Sequence, residues 1–240
     1  MTKDFEGRIA LVTGASRGIG YQVAKKLGAR GAHVIALART VGGLEDLDDE
    51  IKAAGGQTTL VPVDLTDFDA LDRLGAAIFE RWKQLDILIG NAGMLGVLSP
   101  IGHISPKDFE KVMAVNVTAN WRLIRSLDPL LRQSDAGRAL FLTSVQAQTC
   151  TAFWGLQSIS KAAVEAMART WAQESLKTAM KINLADPGPT RTGLRAKAMP
   201  GEIPENLTGP DVVADDLLEL VKPDVLETGK LYDRVSREWA

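Results

Sequence analysis

The sequence predicts an α/β fold: a Rossmann-type, doubly wound parallel sheet of about seven strands with helices on both faces. Three observations predict it. Short β-rich apolar runs alternate with longer amphipathic stretches along the whole chain, the pattern of β-α-β units whose strands pair in parallel and whose right-handed crossovers place helices on both faces. The first run leads directly into a glycine-rich loop and then a helix. The length of 240 residues, 45% hydrophobic and 24% charged, suits one globular domain over 1–240.

In chain order, residues 8–13 (RIALVT) read as a buried strand running into glycines, and 19–30 as a helix stopped by Gly31. Residues 33–38 (HVIALA) and 59–63 are the second and third strands. The acidic run 45–50 reads as the solvated face of a helix. Between 67 and 82, Phe68, Leu71, Leu74, Ile78 and Trp82 share a helical face. Residues 85–89 (LDILI), 139–143 (ALFLT) and 181–185 (KINLA) are strands four to six, and a last short strand is expected around 230–232. The Pro/Gly-rich stretch 186–210 reads as a mobile loop at the carboxyl edge of the sheet, with a substrate lid over 189–209.

Composition excludes several functions. A net charge of −2 provides no basic field for nucleic acid. No apolar run approaches the ~18 residues that span a bilayer. Residues 1–6 (MTKDFE) lack the apolar core of a signal peptide. The single cysteine, Cys150, excludes an internal disulfide and suits a reducing compartment. The expectation is a cytoplasmic protein with neither nucleic-acid nor membrane partners. No residue set has metal-ligand spacing.

The loop after the first strand is Thr13-Gly14-Ala15-Ser16-Arg17-Gly18-Ile19-Gly20. Glycines let the backbone turn tightly and approach a pyrophosphate, and the helix N-terminus offers free N–H groups and a positive dipole end. In such folds an acidic residue after the second strand grips the ribose 2′-hydroxyl of NAD. Here that strand ends in Ala38-Arg39-Thr40. Arg39, with Arg17 in the loop, suits a 2′-phosphate. The reading favours NADP(H), with NAD(H) the alternative.

At this point the chain resembles the short-chain dehydrogenases/reductases, over almost its whole length. Residues 13–20 fit the family's TGxxxGxG loop. Asp64-Leu65 follow the third strand, where the family places an aspartate near the adenine. Gly90-Asn91-Ala92-Gly93 are similar to its NNAG motif, with Gly90 in place of the first Asn. Asn116 fits its helix asparagine, Ser144 its catalytic serine, and Asp186-Pro187-Gly188-Pro189-Thr190 its PG motif beside the nicotinamide. Singly, Asn91, Ala92 and Gly93 also fit a plain turn, Asp64 a loop cap, and Ser144 a hydroxyl satisfying backbone.

The resemblance implies a Tyr-x-x-x-Lys motif after the serine. Its tyrosine is the general acid or base. Its lysine holds the nicotinamide ribose and lowers the tyrosine pKa. The family's spacing lands on Gln157-Ser158-Ile159-Ser160-Lys161: Lys161 is kept, and Gln157 stands at the tyrosine position. Tyr21, with Lys25 four residues on, matches the motif literally but lies on the helix after the phosphate loop. Tyr232 has no lysine four residues on. A glutamine amide can donate a hydrogen bond to a carbonyl but does not titrate, so it supplies no proton, and general acid–base groups contribute ~10²–10⁴-fold in rate. Three readings follow: an NADP(H)-dependent oxidoreductase of carbonyls and alcohols with impaired activity; a non-catalytic NADP(H)-binding sensor or partner subunit; or different chemistry in the same pocket.

Position nominates Met94, Leu95, Val145, Phe153, Trp154 and Met199 for a mostly apolar substrate pocket, with Gln146 and Gln148 as polar additions; His103 reads as a surface residue. Helical faces carrying Trp121, Ile124, Leu127 and Leu131, and Val164, Met167, Trp171 and Leu176, fit either burial on the chain's own sheet or the helix pairing by which the family forms homodimers and homotetramers.

Overall fold

The apolar runs form strands because both faces of each are covered, so nearly every position is buried. A computed structural model describes residues 3–240; the reading of 1–6 as lacking a leader falls partly outside them. Strands β1 (Ile9–Thr13), β2 (His33–Ala38), β3 (Gln57–Pro62), β4 (Ile87–Gly90), β5 (Arg138–Leu142), β6 (Lys181–Asp186) and β7 (Leu231–Asp233) pair in parallel in the order β3-β2-β1-β4-β5-β6-β7. The winding reverses between β1 and β4, which opens a crevice at their carboxyl ends.

An eighth strand was not expected. β8 (Glu238–Trp239) folds back antiparallel on β7. The reversal is made locally: the Asp233 carboxylate accepts the Val235 and Ser236 amides at 2.7 and 3.2 Å, and Arg237 takes φ 61°. Trp239 then meets the Tyr232 ring edge-on at 5.2 Å. Two residues are too few to carry a period-two signal.

The helices are α1 (Gly18–Ala29), α2 (Val41–Ala53), α3 (Phe68–Trp82), α4 (Pro106–Met113), α5 (Ala119–Leu131), α6 (Gln146–Thr149), α7 (Gly155–Glu174), α8 (Gly193–Ala198) and α9 (Pro210–Glu219). Val23, Leu27, Leu44, Leu47, Ile51, Val213 and Leu217, from α1, α2 and α9, bury against one face of the sheet. Leu71, Ile78, Leu123, Leu127, Val164 and Trp171, from α3, α5 and α7, bury against the other. The acidic residues of α2 line its outer face while Leu44, Leu47 and Ile51 point inward. Asp67 caps α3 by accepting the Ala70 amide at 3.0 Å. Between α4 and α5, Ala114–Thr118 form a π-helical turn.

At the amino edge of the sheet, buried Asp86 ties three strands together. It accepts hydrogen bonds from the Ile9 amide at 2.8 Å, Arg8 at 3.1 Å, Gln84 at 3.0 Å and the Ser134 hydroxyl at 2.5 Å. No helix among the described residues is long and apolar enough to cross a membrane.

Candidate active site

The β1–α1 loop is shaped by glycines at two kinds of position. Gly14 and Gly18 take φ of +69° and +61°, in the left-handed region that disfavours side chains. At Gly20 the constraint is space: a Cβ there would collide with the Asn91 amide and lie 2.5 Å from the Gly14 carbonyl oxygen. Thr13 holds the opposite wall. Its hydroxyl donates to the Ile89 carbonyl at 3.2 Å and accepts the Asn91 and Ala92 amides at 3.1 and 3.0 Å, while the Asn91 side chain donates to the Thr13 carbonyl at 2.8 Å. The loop after β4 is thereby locked to the glycine loop. No side chain caps α1 and its first turn carries no acid, so its N–H groups and positive end face the crevice, as an anionic pyrophosphate requires. Ala15 and Ile19 pack into the core. A Cβ at Gly43 would meet the Ser16 carbonyl oxygen at 2.6 Å, so the start of α2 lies directly against this loop.

Arg39, at the end of β2, reaches the Asp64 carboxylate at 3.5 Å. Both are solvent-accessible, and Arg17 is exposed. Asp64 also accepts the Thr66 amide at 2.9 Å and its hydroxyl at 2.8 Å; the Thr66 amide, then its hydroxyl and Arg39, outweigh partial burial and hold the Asp64 pKa low. Asp64 therefore caps the turn after β3. Leu65 packs against the core.

The carboxyl ends of β4, β5 and β6 gather the remaining residues. Asn116 is fully buried on the π-helical turn. It accepts the Met94 amide at 2.8 Å and donates to the Met94 carbonyl at 3.1 Å and the Ser160 hydroxyl at 3.0 Å. Ser144 begins the turn after β5 and donates to the Gln146 side-chain oxygen. Lys161 and Gln157 lie one turn apart on α7, so they share a face. The Lys161 ammonium donates to the Leu142 carbonyl at 2.8 Å. A Cβ on Gly93 would lie 3.5 Å from it and 3.4 Å from the Asn116 oxygen, which places Gly93, Asn116 and Lys161 around one point. Burial pulls the Lys161 pKa down from 10.5 to about 8, opposed by Asp186 and Glu165. Burial raises the Asp186 pKa, against the Gly188 amide, which bonds its carboxylate at 2.9 Å.

Gln157 corrects one expectation. Its side-chain nitrogen donates to the Met94 and Leu95 carbonyls at 2.6 and 3.0 Å. Both N–H groups are committed to backbone, and the residue is only 5% exposed. The amide that could polarise a substrate instead fastens the loop after β4 to α7. That loop is fastened again further on, where Ser99 bridges to Trp154 and its amide donates to the Phe153 carbonyl at 3.0 Å.

Of the pocket candidates, Met94, Leu95 and Trp154 lie in this clasped region. Val145 and Phe153 are exposed, the latter 58% with φ 70°. Met199 lines a separate hollow of about 120 Å³ within the expected lid, shared with Arg191, Thr192 and Leu207. The stretch expected as a loop carries α8, capped by Thr192, and Arg195 forks onto Glu202. Gly188 takes φ +65°. The Pro187 carbonyl accepts from Arg234 at 2.6 Å, and the buried Thr190 hydroxyl donates to the Gly188 carbonyl at 3.1 Å. His103 is exposed on a 3₁₀ turn, as expected. Tyr21 packs on the α1 side of the core, where burial and then the Glu50 carboxylate raise its pKa, and Tyr232 meets Trp239 edge to face; each has structural work where it stands. Most of the helical faces read for assembly bury on the chain's own sheet; Trp121 and Leu176 remain about half exposed.

Gln148, expected to add a polar contact to the pocket, instead donates to Glu165 at 2.6 Å. Glu165 was not singled out in the sequence, because its role rests on partners 17 and 22 positions away.

Residues 8–202 match a family model described as short chain dehydrogenase. The chain is 36% identical over 230 residues, 94% of its length and 91% of the relative's, to an Escherichia coli protein named uncharacterized oxidoreductase YciK. A solved short chain dehydrogenase from Pseudomonas syringae superposes with TM-score 0.94 at 36% identity, covering 97% of this chain and 96% of the other. A short chain dehydrogenase from Shigella flexneri, solved in complex with NADP, gives TM-score 0.93 at 34% identity, covering 97% and 99%.

Proposed function

We propose, from the premise that this chain belongs to the short-chain dehydrogenase family of NAD(P)-dependent oxidoreductases, that it binds NADP(H) and transforms a carbonyl–alcohol pair with a proton-transfer step weakened at Gln157. The observation that carries this reading is the β1–α1 crevice. Its glycines allow a left-handed turn and a close packing against the loop after β4 that a Cβ would forbid, and an uncapped helix N-terminus follows directly. In this reading Gly14, Ser16, Arg17, Gly18, Ile19 and Gly20 hold the pyrophosphate, Arg39 and Arg17 a 2′-phosphate, and Asp64 and Leu65 the adenine. Asn91, Ala92, Gly93, Lys161, Pro187, Gly188 and Thr190 hold the nicotinamide half. The NADP-bound neighbour and the missing acid after β2 support NADP(H) over NAD(H).

NADP(H), when bound, supplies or accepts the hydride. The chain's own groups orient the rest. Ser144 donates toward the substrate oxygen once released from Gln146. Asn116 fixes the Met94 backbone. Lys161 holds ribose hydroxyls, and its ammonium, with a pKa lowered to about 8, stands between the Asp186 and Glu165 carboxylates. The substrate wall is apolar, formed by Met94, Val145 and Trp154, and the segment over 189–209 serves as its lid. We infer a cytoplasmic homodimer or homotetramer; the exposed single Cys150 and the half-exposed Trp121 accord with these two parts of the reading.

A second reading, a non-catalytic NADP(H) sensor or partner subunit, is favoured by one observation: both Gln157 N–H groups are bound to backbone, so position 157 offers a substrate neither proton nor donor. The decisive test follows NADPH absorbance with a panel of ketones and aldehydes for this chain and Gln157→Tyr. Turnover by the variant alone, faster by ~10²-fold or more, establishes a reductase silenced at one position. Equal turnover by both assigns the proton to another group, Lys161 first. NADPH binding without turnover in either supports the sensor.

A further inference from the structure

Glu165 is a buried carboxylate that the reaction outlined above does not use. It lies one helical turn after Lys161 on α7 and is 4% exposed. One of its oxygens, Oε1, accepts two hydrogen bonds: from the Thr143 hydroxyl at 2.7 Å and from the Gln148 side-chain amide at 2.6 Å. The other oxygen faces Arg169 at 3.3 Å. The two donors are not neighbours in sequence. Thr143 immediately precedes Ser144, and Gln148 follows it by four residues on α6. A single atom on α7 therefore grips both ends of the turn that presents the Ser144 hydroxyl.

Backbone bonds hold the turn as well. Its entrance is paired with the sheet through the Thr143 amide and the Ala185 carbonyl at 2.9 Å, the Val145 amide bonds the Asp186 carboxylate, and within it the Ala147 amide donates to the Ser144 carbonyl at 2.9 Å and the Gln148 and Thr149 amides to the Val145 carbonyl at 3.0 Å each. Glu165 alone reaches it from α7. α6 is one turn long, ends at Cys150 in the left-handed region, and exposes Val145 and Gln148 to solvent. A helix this short has little stability of its own. A buried carboxylate is costly unless its oxygens are satisfied, so an apolar residue would be the cheaper way to pack α7 here. What the carboxylate adds is a fixed acceptor shared by two segments.

We propose that Glu165 is a positioning residue that clamps the Thr143–Gln148 turn, and so sets the Ser144 hydroxyl relative to Lys161 on the same helix. Its catalytic consequence rests on the oxidoreductase reading; the clamp itself does not.

Hydrogen exchange of the 143–149 segment, read by mass spectrometry, tests the clamp without any turnover. Gln148→Ala and Glu165→Ala are expected to speed exchange there about five- to tenfold, the loss of one or two hydrogen bonds, while β1–β4 keep the parent rates. Glu165→Gln keeps an oxygen acceptor and is expected to stay within about twofold of the parent. In a Gln157→Tyr background, the two alanine variants should lower kcat about tenfold with unchanged affinity for NADPH. Unchanged exchange in Gln148→Ala overturns the proposal. So does a Glu165→Gln variant as damaged as Glu165→Ala, which would assign the role to charge. If Glu165→Ala does not fold, Gln148→Ala, altered only at an exposed position, decides. Absence of turnover in every Gln157→Tyr protein removes the oxidoreductase reading and leaves the clamp to be judged on exchange.

Discussion

At the scale of single residues, Lys161 carries an energetic cost that its surroundings only partly offset. Burial lowers its pKa from 10.5 to about 8. Below pH 8 both the folded and unfolded chains hold the proton, and the folded state bears the full penalty of a buried ammonium. Between pH 8 and 10.5 the folded state releases the proton first, so this group's contribution to stability rises with pH. Lys161→Met is therefore expected to stabilise the free protein at pH 7, by at most about 3 kcal/mol, with the gain shrinking toward pH 10.5. The same variant should bind NADPH weakly. Denaturant titrations at the two pH values check the sign; a gain that grows with pH contradicts it. Gln157 shows what residue-level reading could and could not extract. Its identity at that position was legible from the motif spacing. The direction of its amide was not, because it is decided by two carbonyls more than 60 positions upstream.

At the scale of elements, the sheet depends on Asp86. Its four donors come from the start of β1 and the residue before it, the approach to β4 and the turn before β5, so Asp86→Ala leaves four donors without their acceptor at once, the buried Ser134 hydroxyl among them. The expected cost is about 3–5 kcal/mol, seen as a lower urea midpoint, with NADPH affinity preserved in the fraction that folds because the crevice lies at the opposite ends of the strands. A loss below about 1 kcal/mol would mean the donors find water instead. The long elements were legible because burial on two faces leaves an unbroken apolar run. β3 starts two positions earlier than expected because Gln57 and Thr58 are polar residues of an edge strand, partnered on one side only by β2. β4 starts two positions later because the Leu85 amide turns aside to the Leu130 carbonyl. α6, α8 and β8 are too short for periodicity to register; capping and tertiary contacts make them.

At the scale of the whole molecule, the crevice joins the two halves of the sheet, β1–β3 on one side and β4–β6 on the other, so a ligand lying across it adds a link to those made by β1 with β4 and by α1 with α9. Saturating NADPH, at 100 times its dissociation constant, is expected to add about 2.7 kcal/mol to stability, a melting shift of roughly 5 °C for a chain of this size. NADH should give less at equal concentration, and the gap should narrow in Arg39→Ala. An equal response to both nucleotides would reassign Arg39 to its pairing with Asp64 alone. The π-helical turn at Ala114–Thr118 has a more local reach. An α-helix advances about 100° per residue, and a π turn accommodates one residue more than an α turn. Deleting one residue there would restore a regular helix and leave α5 in nearly its present rotational phase, with Leu123, Leu127 and Leu130 still on the core face. The deletion would remove only the local widening that presents Asn116 to the Met94 backbone. The extra residue thus serves the site asparagine and not the packing of the helix after it, and the loss of a single codon would separate the two.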